Sequence, residues 1–427
     1  MKSRQLRIVL SCLFLLAVLA CPVVFAEKVV TIKYAFWGNP AAIGVEEEII
    51  NEFNSTHPGI KVEPVVTGYP DYHPKIMTMI AGGQAPDVMR IDSQFLVNFV
   101  KAGALMPIDS LIKRDKINLN LYYKIGLPES TWKGKMYGLP WGTAPIYLIY
   151  NIKMFKDAGV ELPKEGWTWQ DFVKAATAIA GGEGANRRYG YGHNELDIFT
   201  GILPFVWAAG GDVFDSRRTK FTFDNPRVLK RLDEIATLVK NKVFADPFEM
   251  TSADVVTRWF ANNRIAMRLG AAVDILTLQG IEGVDFGVIH FPCGTTTKTT
   301  IVKSNTVAIS ATTKYPEEAW VFLKFLRAPG GRGDVLYSKA KRVPPAADLP
   351  ELWNLYVDST KPPKNIQEVT QAISAKYGRI LPLRAGWTEI QGILKPALQK
   401  IWAGQASAAQ AIKEVKPRIL EVLSREG

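Results

Sequence analysis

Three tryptophans stand where the chain turns at glycine or proline: Trp37 before Gly38-Asn39-Pro40, Trp141 between Pro140 and Gly142-Thr143, and Trp387 directly after Gly386. A sugar ring presents an apolar face of C–H groups and an edge of hydroxyls. Binding one takes aromatic plates for the face and Asp, Asn or Arg side chains for the rim. Asn39 sits beside Trp37, Thr143 sits beside Trp141, and Asp92 closes the apolar run Val88-Met89-Arg90-Ile91. In open α/β sheets ligands gather beyond the C-terminal ends of strands, where Trp37 and Asp92 both fall. Plainer roles compete. Asp92 could cap the helix that follows it, and GLPWGTAP could be a Pro/Gly-rich loop with one Trp packed beneath. Arg342, before Val343-Pro344-Pro345, could reach a binding cleft or brace a loop. Trp207 and Trp259 read as core, and Trp320 and Trp402 fit helical stripes.

The elements that must position these residues follow from periodicity. Val29 to Trp37 reads as a buried strand. Residues 46–54 place Ile49, Ile50 and Phe53 at helical spacing behind acidic residues. Pro58-Gly59 turns the chain into strand IKVEPV, and a helix from Asp71 to Ala81 stops at Gly82-Gly83. Strand VMRI then ends at Asp92, with a helix over 94–102 and Gly103 as its cap. This β-α alternation predicts a mostly parallel sheet with helices on both faces. The pattern resumes with helices at 169–180, 226–240 and 252–262, strands in RIAMRLG, at 286–290 and at 306–310, and a helix at 316–327. The tail, 387–423, reads as helical with a break at Gly404.

Other chemistries find little support. The four His (His57, His73, His193, His290) form no spaced metal pair. Residues 294–300, GTTTKTT, lack the second Gly of a phosphate loop, and no GxSxG elbow occurs. A glycoside hydrolase needs two carboxylates across its substrate. Asp92, Asp212, Asp274 and Glu389 are candidates, but nothing in the sequence pairs them. Neither metal nor cofactor is expected.

Residues 1–26 read as a secretory leader: Lys2, Arg4 and Arg7, an apolar run from Ile8 to Leu19, then Val24-Phe25-Ala26 as a cleavage site. The alternative is lipid anchoring through Cys21 in Val18-Leu19-Ala20-Cys21. Cys12 and Cys21 lie in this leader, which leaves Cys293 without an intramolecular disulfide partner. The net charge of +11 is spread among acidic residues without a dense arginine run, so a nucleic-acid partner is not expected.

Six segments stand in a telling order: HPGIKVEPV, IAGGQAPDVMRID, WKGKMYGLPW, RWFANNRIAMRLG, PEEAWVFLKFL and RVPP. Together they resemble the extracellular solute-binding family that includes maltose-binding protein, over nearly the whole chain beyond the leader. The resemblance implies a two-lobed α/β periplasmic-binding-protein fold of type II with the ligand cleft between the lobes. It implies an N-terminal lobe of 27–139 plus 290–340 and a C-terminal lobe of 140–289 plus 341–427. It also implies a monomer that binds a carbohydrate, or another solute, outside the cytoplasm and delivers it to an ABC-importer permease without catalysis. Site positions implied by the resemblance are Asp92, Gly270, Ala272, Arg384 and Trp387. Relatives often carry an acid near Thr143 and an aromatic where this chain has Ala272, departures that leave the particular sugar open.

Overall fold

The computed structural model describes residues 29–425 apart from 39, 194–200, 342, 382, 383 and 385. Residues 1–28 with Cys12 and Cys21, and also Asn39 and Arg342, lie outside the described residues. The first sheet starts with β1 (Val30–Trp37), β2 (Ile60–Thr67) and β3 (Val88–Ile91), linked through the helices Pro40–Thr56 and Tyr69–Ala81. β1 pairs in parallel with both β2 and β3. Its side chains alternate between two cores. Ile32, Tyr34 and Phe36 pack with Ile49, Phe53 and Trp320, while Ala35 packs with Tyr72, Ile76 and Met89. A strand buried on both sides in this way needs helices on both faces. The helix Tyr69–Ala81 ends at Gly82, and Gly83 takes φ +68°, a turn that costs a glycine nothing sterically.

A small hairpin, β4 (Thr131–Trp132) and β5 (Lys135–Met136), leads into β6 (Gly138–Pro140). The chain then leaves the first sheet through β7 (Ala144–Pro145) and β8 (Tyr147–Asn151). β8 lies between β9 (Met267–Gly270) and β10 (Phe286–Ile289), antiparallel to both. A third sheet joins β11 (Thr300–Lys303) to β7 and to β13 (Gly378–Arg379). Finally β12 (Thr306–Ile309) enters the first sheet between β3 and β6, antiparallel to each.

The expectation of mostly parallel pairing therefore holds for β1 to β3 and for β11 with β13, and fails for the other strand pairs named here. Sequence alternation fixes direction only where one crossover helix joins neighbouring strands. The segment from β8 to β9 runs over a hundred residues, and β12 arrives from the other half of the molecule. A second difference concerns residues 290–303, expected in the first lobe. Phe291 and Ile301 pack with Phe172, Phe205 and Leu394, and Val302 packs with Tyr147, Phe260 and Trp353. The chain changes sheets later, at Ser304-Asn305. The helices Pro316–Arg327 and Arg332–Lys339 then complete the first core with Trp320, Phe322, Leu323 and Tyr337. The helices Trp387–Trp402 and Ala408–Arg425 close the second with Ile390, Leu398, Ile412 and Ile419. Among the described residues no helix is long and apolar enough to cross a membrane.

The segments that pass between the sheets run side by side. Ser304 O accepts from the amides of Trp141 and Gly142, each at 3.2 Å, and Ser304 Oγ donates to Gly142 O at 2.7 Å. Thr143 N donates to Pro344 O at 3.1 Å. A Cβ on Gly142 would lie 2.5 Å from Val343 Cγ2, so the close approach of these strands requires glycine here. Asn305 takes φ 49°, a left-handed conformation that asparagine tolerates better than most residues.

Candidate functional site

Polar and aromatic side chains converge beyond the C-terminal ends of β1, β2 and β3. Asp92, directly after β3, is only 2 % exposed. Its Oδ1 accepts from the Gln94 amide at 3.3 Å, which is the cap foreseen as an alternative role. Its Oδ2 accepts from Tyr69 Oη at 3.0 Å and from Lys303 Nζ at 3.1 Å. The Asp92 amide donates to His73 Nε2 at 3.1 Å. Burial alone would raise the Asp92 carboxyl, but the Lys303 charge and His73, with hydrogen bonds from Lys303 and the Gln94 amide, hold it below the ordinary carboxylate value. Burial pushes His73 down to about 4, so at neutral pH its ring is uncharged and free of a proton where it accepts the Asp92 amide.

Trp37 ends β1 and packs against Tyr69, Tyr72 and His73, with ring centroids 5.6, 4.9 and 5.2 Å apart. Arg90, on β3, lies with its guanidinium carbon 4.0 Å from the Trp37 ring centroid and 4.7 Å from that of Trp141. Two of the three tryptophans singled out in the sequence thus share one buried cation. Arg90 Nη1 donates to Glu46 Oε1 at 2.8 Å, and Tyr337 Oη donates to the other Glu46 oxygen. Trp141 is 9 % exposed, meets Tyr337 edge-on, and its buried indole N–H has no hydrogen-bond partner among the described residues. Thr143 is buried, and its hydroxyl has no partner among the described residues either.

The remaining positions go elsewhere. Gly270 ends β9, where a Cβ would lie 2.7 Å from Ile149 Cδ1. Ala272 is buried at the start of the helix Ala272–Gln279. Asp274 is engaged there by the Ala271 amide at 2.8 Å and Arg268 Nη2 at 2.5 Å. Trp387 is buried as the first residue of its helix, with Phe214 5.6 Å away edge-on. Arg384 donates to the carbonyls of Arg218 and Leu423. Both are therefore held by the second core and its C-terminal helices.

A second polar and aromatic group stands at the end of β13. Arg379 pairs with Asp212 Oδ2 and lies 4.6 Å from the Trp207 ring centroid, and Trp207 Nε1 donates to Asp212 Oδ1 at 3.1 Å. They line a cavity of about 500 Å³ with Phe214, Thr295 and Asn225. Arg379 pairs with Ile301 in the parallel ladder of β13 and β11, so it shares a sheet with Lys303.

Sequence reasoning missed Tyr69, Gln94, Arg90 and Lys303. Tyr69 could have been found, because it lies just beyond the end of β2 as Trp37 lies at the end of β1. Lys303 could not, since it reaches Asp92 across 211 residues of sequence and only the sheet register brings them together.

The family of bacterial extracellular solute-binding proteins matches residues 41–333 of this chain. An uncharacterised lipoprotein of Streptomyces antibioticus is 25 % identical over 76 % of this chain and 73 % of its own length. An arabinooligosaccharide-binding protein of Bacillus subtilis is 26 % identical over 46 % of this chain and 44 % of its own. Among solved structures, an ABC substrate-binding protein from Listeria monocytogenes in complex with cycloalternan superposes with a TM-score of 0.81 at 24 % identity, covering 93 % of this chain and 100 % of that one.

Proposed function

The chain belongs to the bacterial extracellular solute-binding protein family, and on that premise we propose that its solute is a carbohydrate, received between the lobes and handed to an ABC-importer permease. The observation that carries this reading is the group after β1, β2 and β3: Trp37 and Tyr69 as aromatic surface beside the charged carboxylate of Asp92. Sugars take hydrogen bonds from and to such a rim while their C–H faces pack on aromatics. The names of the Bacillus and Listeria proteins, which bind oligosaccharides, agree. Among the described residues the cations in this place are paired, Lys303 with Asp92 and Arg90 with Glu46, which suits a neutral polyhydroxyl solute better than an anion.

The lobes we assign are 29–141 with 306–343, and 146–303 with 346–425, with the second contribution to the cleft coming from Arg379, Asp212 and Trp207. The protein acts as a monomer outside the cytoplasm after loss of residues 1–26, and it performs no reaction. A thermal-shift screen over mono- and oligosaccharides tests the reading. A sugar at one hundred times its Kd should stabilise the protein by ~2.7 kcal/mol, and Asp92→Ala should abolish that shift. A shift with glycerol phosphate and with no sugar would overturn it.

A further inference from the structure

We propose that Lys303 is a positioning residue: reaching from β11, it holds Asp92 charged and fixed in place for the solute. A carboxylate as buried as Asp92 keeps its charge only if hydrogen bonds and an opposite charge replace the water it has lost. The charged and polar groups of the described elements around it can be named, beginning with the Gln94 amide that follows it. The helix Tyr69–Ala81 supplies the Tyr69 hydroxyl and the neutral ring of His73. β3 itself carries Arg90, whose guanidinium is engaged with Glu46. The short helix Leu127–Ser130 brings Glu129, a second carboxyl that is wholly buried. Among the described residues, Lys303 is the cation in ion-pair contact with Asp92.

The next residue extends the arrangement, because Ser304 N donates to Glu129 Oε2. Two consecutive residues at the sheet change thus address two buried carboxyls, one through a side-chain charge and one through an amide. Burial, and to a lesser degree Asp92, raises Glu129 to about 7, against the pull of the Ser304 amide and Lys303. The Asp92 carboxyl goes the other way, and the contact that distinguishes them is the ammonium of Lys303 at 3.1 Å. Without that ammonium, two buried carboxyls within electrostatic reach of each other would have no cation in contact with Asp92, and Asp92 would take up a proton at a higher pH.

The inference rests on the reading of Asp92 as a solute-binding carboxylate, but it is tested in the ligand-free protein. Carbon-13 NMR of protein labelled at aspartate carboxyls follows Asp92, assigned by its loss in Asp92→Asn. In the native protein the signal should stay that of a carboxylate from pH 8 down to about 4.5. In Lys303→Met its midpoint should rise by at least one unit, which is about a tenfold larger protonated-to-ionised ratio at a given pH. Lys303→Arg should restore the native titration. If the methionine variant does not fold, Lys303→Gln, which keeps a donor without the charge, should show the same rise. An unchanged Asp92 midpoint in a folded neutral variant overturns the proposal. The reading of Asp92 as a solute-binding carboxylate fails separately, if Asp92→Asn leaves affinity for the sugar found in the screen unchanged.

Discussion

The guanidinium of Arg90, shared by two indole rings, decides what each tryptophan can do. Trp37 keeps partial exposure and neighbours Tyr69, whereas Trp141 is enclosed by Arg90, Tyr337 and the passing strands. Replacing Trp37 by Ala should therefore weaken sugar binding by ~1 kcal/mol or more, read by calorimetry, with little change in melting. Replacing Trp141 by Ala should act on the fold instead, lowering stability in urea by ~3–5 kcal/mol, as expected for a large aromatic removed from a packed interior. The opposite pattern would make Trp141 the stacking plate. Trp37 and Trp141 were legible in the sequence because they stand at strand ends beside glycine or proline, and Asp92 because it directly follows the strand Val88–Ile91. Their partners Arg90, Lys303 and Glu46 were not, because a charge carries no mark in sequence of the charge it will meet across a sheet.

At the scale of elements, the adjoining strands at Trp141–Thr143 and Lys303–Thr306 depend on Ser304, and Ser304 depends in part on Glu129. The folded-state value of Glu129, about 7, lies above that of an exposed glutamate, so the folded chain holds an extra proton between the two values. Its contribution to stability is complete below the unfolded value and is lost as pH rises through about 7. Glu129→Gln keeps a carbonyl to accept the Ser304 amide and has nothing to ionise. Compared with the native protein it should gain stability steadily from pH 5 to pH 8, by up to ~3 kcal/mol in denaturant melts. A pH-independent difference would show that Glu129 does not titrate in this range. Boundaries of single helices were legible wherever a cap was explicit. Thr168 caps the helix Trp169–Ile179, Asn225 caps Pro226–Lys240, and Ser252 caps Ala253–Ala261. Strand direction was not, because it depends on partners far away in sequence, and so the antiparallel sheet of β8, β9 and β10 was missed.

At the scale of the whole molecule, two cores joined by closely spaced strands can turn about those strands as rigid bodies. A solute that touches both walls shifts the equilibrium toward closure by its difference in affinity for the two states. Small-angle scattering should show a smaller radius of gyration when the sugar found in the screen is added. A sugar that binds tightly to an open protein and leaves the radius unchanged would sink the hinge. The place of β12 has one more consequence. This strand, residues 306–309, lies inside the first sheet between β3 and β6, and Trp320, Phe322 and Leu323 just beyond it complete the first core. The second core waits longer still, for Ile390 to Ile419. During synthesis the early strands emerge long before their partners, so neither half can finish folding while the ribosome is still in the middle of the message. For a chain exported in an unfolded state, the same topology keeps the nascent chain open until most of it has been made.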